Sequence, residues 1–215
     1  SSLQSLPQSM PAGALVTPAV QVRVMDGAGN TVTTATNSVT LSLAANPGGS
    51  SLGGTLTTAA VGGVATFSTL TLDRSAAGYA LAAASTGLTG ATSNAFTVNP
   101  GAAAALVVNA APTTAQSGVV LAPQPAVRLV DALGNTVPTT GTTVTVALAS
   151  GAGTVGGTLT ANTVSGVATF TNLVLTGTVG NYTLTFTAPA VTGVTTGPIA
   201  VAAGAPASLA YLVQP

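Results

Sequence analysis

An internal repeat constrains the fold of this chain more than any other feature. Residues 18–32 read PAVQVRVMDGAGNTV, and residues 123–137, at an offset of 105, read PQPAVRLVDALGNTV. The motifs GGTLT and GVATF, which begin at Gly53 and Gly63, recur at an offset of 103. Matches over most of the length indicate two copies of one domain of about 100 residues, a common domain size.

Each copy alternates apolar and polar residues with a period of two, as half-buried β-strands do. In the first copy Val20, Val22 and Val24 alternate with polar neighbours, and residues 144–148 of the second copy read VTVAL. Gly-rich turns separate these segments. We therefore predict an all-β chain of two tandem immunoglobulin-like β-sandwiches. The predicted boundaries are 1–100 for domain 1, 101–204 for domain 2 and 205–215 for a separate strand.

Charged residues are almost absent from the 215 residues: there is no Lys, Glu, His or Cys, and the only charged side chains are Asp26, Asp73, Asp131, Arg23, Arg74 and Arg128. An ordinary soluble surface is roughly a quarter to a third charged, so this surface is poorly protected against association. The usual general acids, bases and thiolate ligands are missing. We therefore predict that the chain is not an enzyme and has no catalytic, metal or cofactor site. Nucleic acid, which needs a basic patch, is not an expected partner.

The few reactive-looking residues have simple interpretations. Asp26 and Asp131 each precede a Gly-Asn pair, which is typical of side chains that cap their own turn. Pairs such as Arg23 with Asp26 contribute less than about 1 kcal/mol when exposed.

The sequon Asn-Tyr-Thr at 181–183 and the abundant Ser and Thr make surface glycans a further candidate. The longest apolar run, 102–108, is too short to span a membrane, so membrane insertion is not expected.

The order of motifs resembles a known family. An apolar strand, an Asp-x-x-Gly-Asn turn, a Gly-Val-Ala-Thr-Phe strand and a Tyr-x-Leu strand follow one another in both copies. This order resembles the tandem bacterial Ig-like repeats of surface proteins, adhesins and extracellular filaments. The resemblance implies an extracellular or cell-surface sandwich that serves as a stalk, spacer or filament. It also implies that Tyr79 and Tyr182 are corner tyrosines, whose hydroxyls bind nearby backbone.

The two copies do not begin at the same point. Domain 2 opens with an apolar strand at 104–112, whereas residues 1–12 are polar and show no comparable strand. The C-terminal segment 207–215 matches that strand at an offset of 103, so that Leu209 corresponds to Leu106. We therefore predict that the first strand of domain 1 is missing from its place and lies at the far end of the chain.

An unpaired apolar strand requires a groove that satisfies its backbone groups. The predicted acceptor groove lies along Val20, Val22 and Val24. If each sandwich is about 40 Å long, the two ends of the chain lie roughly 80 Å apart, so a neighbouring copy is the expected recipient. Alternate residues of the donor should face the core. The predicted donor strand consists of Ser208, Leu209, Ala210, Tyr211, Leu212 and Val213.

Three functional interpretations follow from this strand. The first, which we take as the prediction, is a structural subunit of an extracellular filament, assembled head to tail from copies of itself by β-strand complementation. The alternative is a stalk or adhesive segment of a larger tandem-repeat bacterial surface protein, in which the strand joins the next repeat covalently. The third is an independent monomer with a frayed tail. The first two predict the same contact and differ in covalent continuity.

Overall fold

A computed structural model describes residues 7–209 and, without its side chains, the short strand Ser2–Leu3. The chain divides into two compact units. Unit 1 comprises Ser1–Gly101 with Leu133–Asn135, and unit 2 comprises Ala102–Ala132 with Thr136–Pro215. All helical or extended structure in the described residues is β-strand, so the predicted all-β class is confirmed.

The strands of unit 1 are mostly short, and the two longest form the centre of its larger sheet. They are β1 (Ser2–Leu3), β2 (Ser9–Pro11), β3 (Val20–Arg23), β4 (Ser38–Ala45), β5 (Leu52–Gly53), β6 (Thr57–Ala59), β7 (Val64–Phe67), β8 (Thr71–Leu72), β9 (Ala76–Ala84), β10 (Ala91–Thr92) and β11 (Phe96–Asn99).

Unit 2 repeats this series strand for strand. Its strands are β12 (Ala105–Ala110), β13 (Thr114–Gln116), β14 (Ala126–Val130), β15 (Thr143–Ser150), β16 (Gly153–Gly156), β17 (Thr160–Asn162), β18 (Val167–Thr169), β19 (Val174–Gly177), β20 (Gly180–Thr187), β21 (Val194–Thr195) and β22 (Ile199–Ala202).

Both units have the same sheet topology, which confirms that the sequence repeat is a structural repeat. Unit 1 contains a small sheet of order β1-β3-β7 and a larger sheet of order β2-β11-β9-β4-β6, with β10 also paired to β9. Unit 2 contains the orders β12-β14-β18 and β13-β22-β20-β15-β17, with β21 on β20. The pairs β5-β8 and β16-β19 form separate two-stranded ladders.

Alternate apolar residues of the two sheets meet in the core of each unit. In unit 1, Val22 and Phe67 of the small sheet belong to one buried cluster with Leu41, Leu81 and Phe96 of the larger sheet. Unit 2 has the equivalent cluster, with Phe170 and Phe186 rings 5.2 Å apart. The period-two pattern of the sequence therefore corresponds to an inward face on each strand.

The two predicted corner tyrosines are confirmed by their hydrogen bonds. The Tyr79 hydroxyl donates to the carbonyl oxygen of Arg74 at 2.8 Å. The Tyr182 hydroxyl lies 2.8 Å from the carbonyl oxygen of Thr178 and 2.7 Å from that of Ala152. Both tyrosines are buried, and burial is the main cause that raises the pKa of Tyr79. Each hydroxyl fixes the loop that precedes its strand against the central sheet.

Close backbone contacts explain the repeated Gly-Gly motif. Gly54 and Gly157 adopt positive φ angles of 97° and 99°, which side chains other than Gly rarely tolerate. A Cβ atom at Gly54 would collide with the carbonyl group of Thr69, and one at Gly157 would collide with that of Asn172. The motif is therefore required where one segment of backbone crosses directly over another.

The sequence predicted no strand comparable to β12 within residues 1–12, but the structure has the two-residue strand β1 there. β1 pairs antiparallel with β3, with Ser2 opposite Arg23. This is the register of β12 in unit 2, where Val107 is opposite Arg128. Backbone hydrogen bonds form whatever the side chains are, so these two residues pair without an apolar alternation that the sequence would reveal. In the described residues, unit 1 has a two-residue part of its first strand, whereas β12 spans six residues.

Candidate strand-acceptor groove

The first strand of unit 2 shows what a complete unit contains. β12 pairs with β14, and Leu106 is opposite Leu129. β12 also bonds to the other side of the sandwich. The Leu106 amide donates to the carbonyl oxygen of Thr192 at 2.8 Å, and the Thr192 amide donates to the carbonyl oxygen of Ala104 at 2.9 Å. The first half of β12 therefore connects β14 with the segment that precedes β21.

The side chain of Leu106 is part of the core of unit 2. Leu106 is 3% exposed and belongs to the same buried cluster as Leu129 and Val146. Ala103 and Val191 are half-buried and pack against this cluster. The strand that closes the sandwich thus also covers apolar residues that would otherwise face solvent.

The described residues of unit 1 leave the corresponding face uncovered. Within them, β1 pairs with β3 only as far as Arg23. A narrow cavity of about 10 Å³ lies beyond this point and is lined by Val22, Arg23, Val24, Val39, Ala83, Ala84, Ser85, Leu88 and Thr89. A wider recess of about 310 Å³ adjoins it and is lined by Met25, Asp26, Gly27, Gly87, Leu88 and Thr89. We call the two together the unit 1 groove.

The lining of the unit 1 groove corresponds to the residues that hold β12 in unit 2. Thr89 corresponds to Thr192 at the offset of 103, and Leu88 corresponds to Val191. Leu88 is exposed, at 38%. Val191, at the site that β12 covers, is half-buried and therefore less exposed than Leu88. Leu88 and Thr89 were not among the predicted acceptor residues, although their offset of 103 from Val191 and Thr192 identifies them in the sequence.

The predicted acceptor residues lie in the core behind this groove. Val20, Val22 and Val24 are 2%, 1% and 5% exposed, so their side chains already face inward. Val22 and Val24 line the groove, and Val20 does not. Because β1 already pairs opposite Val22 and Arg23, the uncovered part of the groove starts at Val24 and continues toward Leu88.

The predicted donor residues lie at the end of the described chain. Ser208 and Leu209 follow β22 and are exposed, without an assigned strand. Leu209 is 103% exposed, the highest value among the large apolar residues whose side chains the structure describes, in contrast to 3% for Leu106. The other predicted donor residues lie outside the described residues: Ala210, Tyr211, Leu212 and Val213.

The turn at Asp26 beside the groove is capped by its own carboxylate, as predicted. The Asp26 carboxylate accepts hydrogen bonds from the amides of Ala28 and Asn30, each at 2.9 Å, and from the Asn30 side chain at 3.1 Å. These bonds, with the Asn30 side chain first, lower the pKa of Asp26. The equivalent Asp131 is buried. In the part of the chain that the structure describes, no three acidic side chains come together as metal ligands.

A partly buried polar cluster in unit 1 was not predicted from the sequence. The Asp73 carboxylate accepts hydrogen bonds from the Ser50 hydroxyl at 2.7 Å and from the Ser51 amide at 2.9 Å. The Ser50 hydroxyl oxygen accepts in turn from the Asp73 amide at 2.9 Å. The bond from Ser50 is the main cause that lowers the pKa of Asp73. The cluster fixes the loop between β4 and β5 to the end of β8, which is a structural role.

Two further sequence features have defined places. Asn181, the first residue of the sequon, is exposed on β20 beside the buried Tyr182. None of the described residues belongs to a helix long and apolar enough to cross a membrane.

Comparisons with known proteins yielded structural neighbours only. No protein-family model and no curated protein matches the chain. The Escherichia coli adhesin FdeC is similar over 94% of this chain and 63% of its own, at 19% identity and a TM-score of 0.42. Invasin, a bacterial integrin-binding protein, is similar over 94% of this chain and 39% of its own, at 20% identity and a TM-score of 0.41. A β-glycosidase from Bacteroides vulgatus is similar over 93% of this chain and 24% of its own, at 16% identity and a TM-score of 0.41.

This chain thus spans from 24% to 63% of the solved chains just named. The neighbours include surface proteins and an enzyme, and all have low identity and low TM-scores. They carry no argument about function. The assignment of the fold rests on the strand order of the two units.

Proposed function

We propose that this chain is a non-enzymatic structural component of an extracellular or cell-surface filament, in which unit 1 of one copy is completed by a strand from the next. The observation that supports this proposal is the contrast between two equivalent sites. In unit 2, β12 lies across the groove, whereas the described residues of unit 1 leave it uncovered beside Val24. The segment 205–215 carries a sequence that matches β12.

Filling the unit 1 groove is favourable because it buries apolar surface. Burial of a side chain such as Leu106 contributes roughly 1.5–3 kcal/mol relative to exposure. A strand in the groove would cover Leu88, 38% exposed, together with its own Leu209. Association costs at least about 4 kcal/mol of lost freedom, so backbone pairing along the strand must add to this burial.

The position of donor and acceptor determines the form of the assembly. The donor segment follows unit 2, and the groove belongs to unit 1, so the two contacting surfaces differ. A contact between two different surfaces adds copies head to tail, and it produces an extended filament unless the rotation between copies closes a ring. This geometry matches the predicted polymer.

The surface chemistry also suits a structural role. On exposed sheet positions, the Thr40 and Thr57 hydroxyls lie 2.9 Å apart, and those of Ser150 and Thr183 lie 2.7 Å apart. Such neutral cross-strand pairs stabilise neighbouring strands without charge. With three Asp and three Arg in the whole chain, copies repel one another little.

A second candidate function is a stalk or adhesive segment of a longer tandem-repeat surface protein. The observation that favours it is in unit 2, whose first strand arrives through the peptide chain directly after the link at Gly101. A preceding repeat could complete unit 1 in the same way. The groove would then be filled covalently, and the junction would be the same.

The covalent and native masses of the protein distinguish the two candidates. For a filament, mass spectrometry of denatured native material should give a chain near 20.3 kDa plus any glycans, while light scattering and electron microscopy show much larger assemblies. A covalent mass several times larger would instead support the stalk.

Truncation tests the role of the terminal segment. A chain without residues 205–215 should remain monomeric and should bind a synthetic peptide of that sequence, whereas a peptide of scrambled order is the control. Filaments formed by the truncated chain would refute strand addition.

A further inference from the structure

We infer that unit 1 accepts only the first half of the donor strand, residues 204–209 of a second copy, while its own strand β1 stays paired to β3. This inference rests on the proposed strand addition and specifies the residues that perform it. It differs from the sequence-based prediction, in which all residues from 208 to 213 enter the groove.

The register of β12 gives each donor residue a place. In unit 2, Leu106 is opposite Leu129. Leu106 corresponds to Leu209 at the offset of 103, and Leu129 corresponds to Val24 at the offset of 105. Leu209 therefore comes opposite Val24, a residue that lines the unit 1 groove.

The residue before Leu209 falls on the wider part of the groove. In unit 2, Ala105 is opposite Val130. The corresponding residues are Ser208 in the donor and Met25 in the acceptor. Met25 lines the wider recess, so the donor runs along the recess before it reaches Val24.

The places beyond Leu209 are already taken by β1, because Ser2 is opposite Arg23. In the donor, the residue for that place is Ala210. Docking as far as Leu209 stops before the place of Ser2 and leaves β1 paired to β3, whereas docking through 213 must remove β1 entirely.

Leu209 is the anchor of this half-strand. It is the only large apolar residue in the segment Gly-Ala-Pro-Ala-Ser-Leu at 204–209. It is fully exposed, while Leu106 at the equivalent filled site is 3% exposed. Pro206 fixes its own φ angle and biases Ala205 toward an extended conformation, and so lowers the entropy that the segment loses on docking. The donor therefore recognises its groove through one apolar side chain on an extended, neutral backbone.

A second copy is the recipient because of how the chain runs through unit 2. β13, which continues from β12, is parallel to β22, so the chain enters unit 2 at one end of the sandwich and leaves at the other. Residues 203–209 span at most about 25 Å when extended, which is about the length of the eight-residue strand β20. They are too few to return along the length of unit 2 to the end at which the chain enters it.

Disulfide trapping tests the register. The chain contains no Cys, so each single substitution introduces one thiol. Residues opposite each other in an antiparallel pair lie about 4.5–5.5 Å apart at Cα, within the range that a disulfide bridges. Ser208→Cys chains mixed with Met25→Cys chains test the front half of the strand. Ala210→Cys chains mixed with Arg23→Cys chains test the back half.

Under mild oxidation, the front pair should form disulfide-linked dimers at least about tenfold more than the back pair, as measured on non-reducing gels. A back pair that crosslinks as well as the front pair would overturn the half-strand inference and still support strand addition. A mixture of one Cys-substituted chain with the unsubstituted chain gives the background. If neither pair crosslinks above this background, both the inference and the proposed strand addition fail.

Two charge substitutions test the anchor in the same crosslinking experiment. Leu209→Asp should reduce the front crosslink by about tenfold or more, because it places a charge against the core. Tyr211→Asp should leave the front crosslink within about twofold, because residue 211 stays outside the groove. Loss of the crosslink with Tyr211→Asp, or its retention with Leu209→Asp, would overturn the inference.

Discussion

Replacement of Leu106 by Ala measures how much a filled groove stabilises a unit. Leu106 is 3% exposed and packs in the core of unit 2 through the first half of β12, which has no counterpart in the described residues of unit 1. Large-to-small changes of this kind cost about 2–5 kcal/mol, the sum of lost burial and the cavity left behind. Because neighbouring side chains can partly relax into the space that Leu106 leaves, we expect a loss of about 2–3 kcal/mol.

This loss corresponds to an increase of about 30-fold to 150-fold in the unfolding equilibrium constant of unit 2. Native-state hydrogen exchange of the amides of β14 and β20 in increasing urea measures it within the intact chain. Leu88→Ala in unit 1 is the matched control: Leu88 is 38% exposed, so we expect a loss below about 1 kcal/mol. If Leu106→Ala costs less than about 0.5 kcal/mol, a filled groove contributes little and the argument for strand addition fails.

Three other predictions test the units separately. Tyr182→Phe should lower the free energy of unfolding of unit 2 by about 1–2 kcal/mol, as measured in urea, and Tyr79→Phe should have a similar effect on unit 1. The effects are similar because one hydroxyl proton makes one bond at a time, even where Tyr182 lies beside two carbonyl oxygens. A loss twice as large for Tyr182 would contradict this. Gly157→Ala should cost about 2 kcal/mol or more and lower the melting temperature, whereas Gly156→Ala, with no neighbouring atom within 4 Å of a new Cβ, should be tolerated. Equal effects of the two Gly substitutions would be inconsistent with the backbone contact. The folded pKa of Asp73 lies below its ordinary value of 3.8, so its bonds stabilise unit 1 above that value and this contribution is lost as the pH falls through the folded pKa. The melting temperature should be level from about pH 5 to 9 and fall below about pH 4, and Asp73→Asn should flatten the acid side; a large change near pH 7 would refute this.

The sequence predicted the features that depend on local pattern. The alternation at Val20, Val22 and Val24 predicted an inward strand face, and all three are buried. The repeated Tyr-x-Leu motif located Tyr79 and Tyr182, whose hydroxyls bind backbone carbonyls. These features are predictable because burial on one face of a strand imposes a period that the residues themselves show.

Features that depend on pairing between distant residues were not predictable in this way. Ser2–Leu3 pairs through its backbone, which leaves no mark on side-chain pattern. Ser50 and Asp73 are 23 residues apart, and the position of Asp73 is taken by Thr176 in unit 2, so the repeat gave no second example of that cluster. One signal for β1 was present: Pro7 corresponds to Pro112 at the offset of 105, which aligns residues 1–6 with the strand before it.

The parallel pairing near the two ends of each unit has a mechanical consequence. In unit 1, β2 and β11 are parallel neighbours, with Met10 opposite Val98, and β13 and β22 are paired in the same way in unit 2. Tension on the two ends of a unit pulls these neighbouring strands in opposite directions along their length. Their hydrogen bonds are then loaded together in shear, whereas a hairpin pulled at its open end loses its bonds one after another. The resistance of each unit to stretching therefore depends on one pair of short parallel strands, β2 with β11 in unit 1 and β13 with β22 in unit 2.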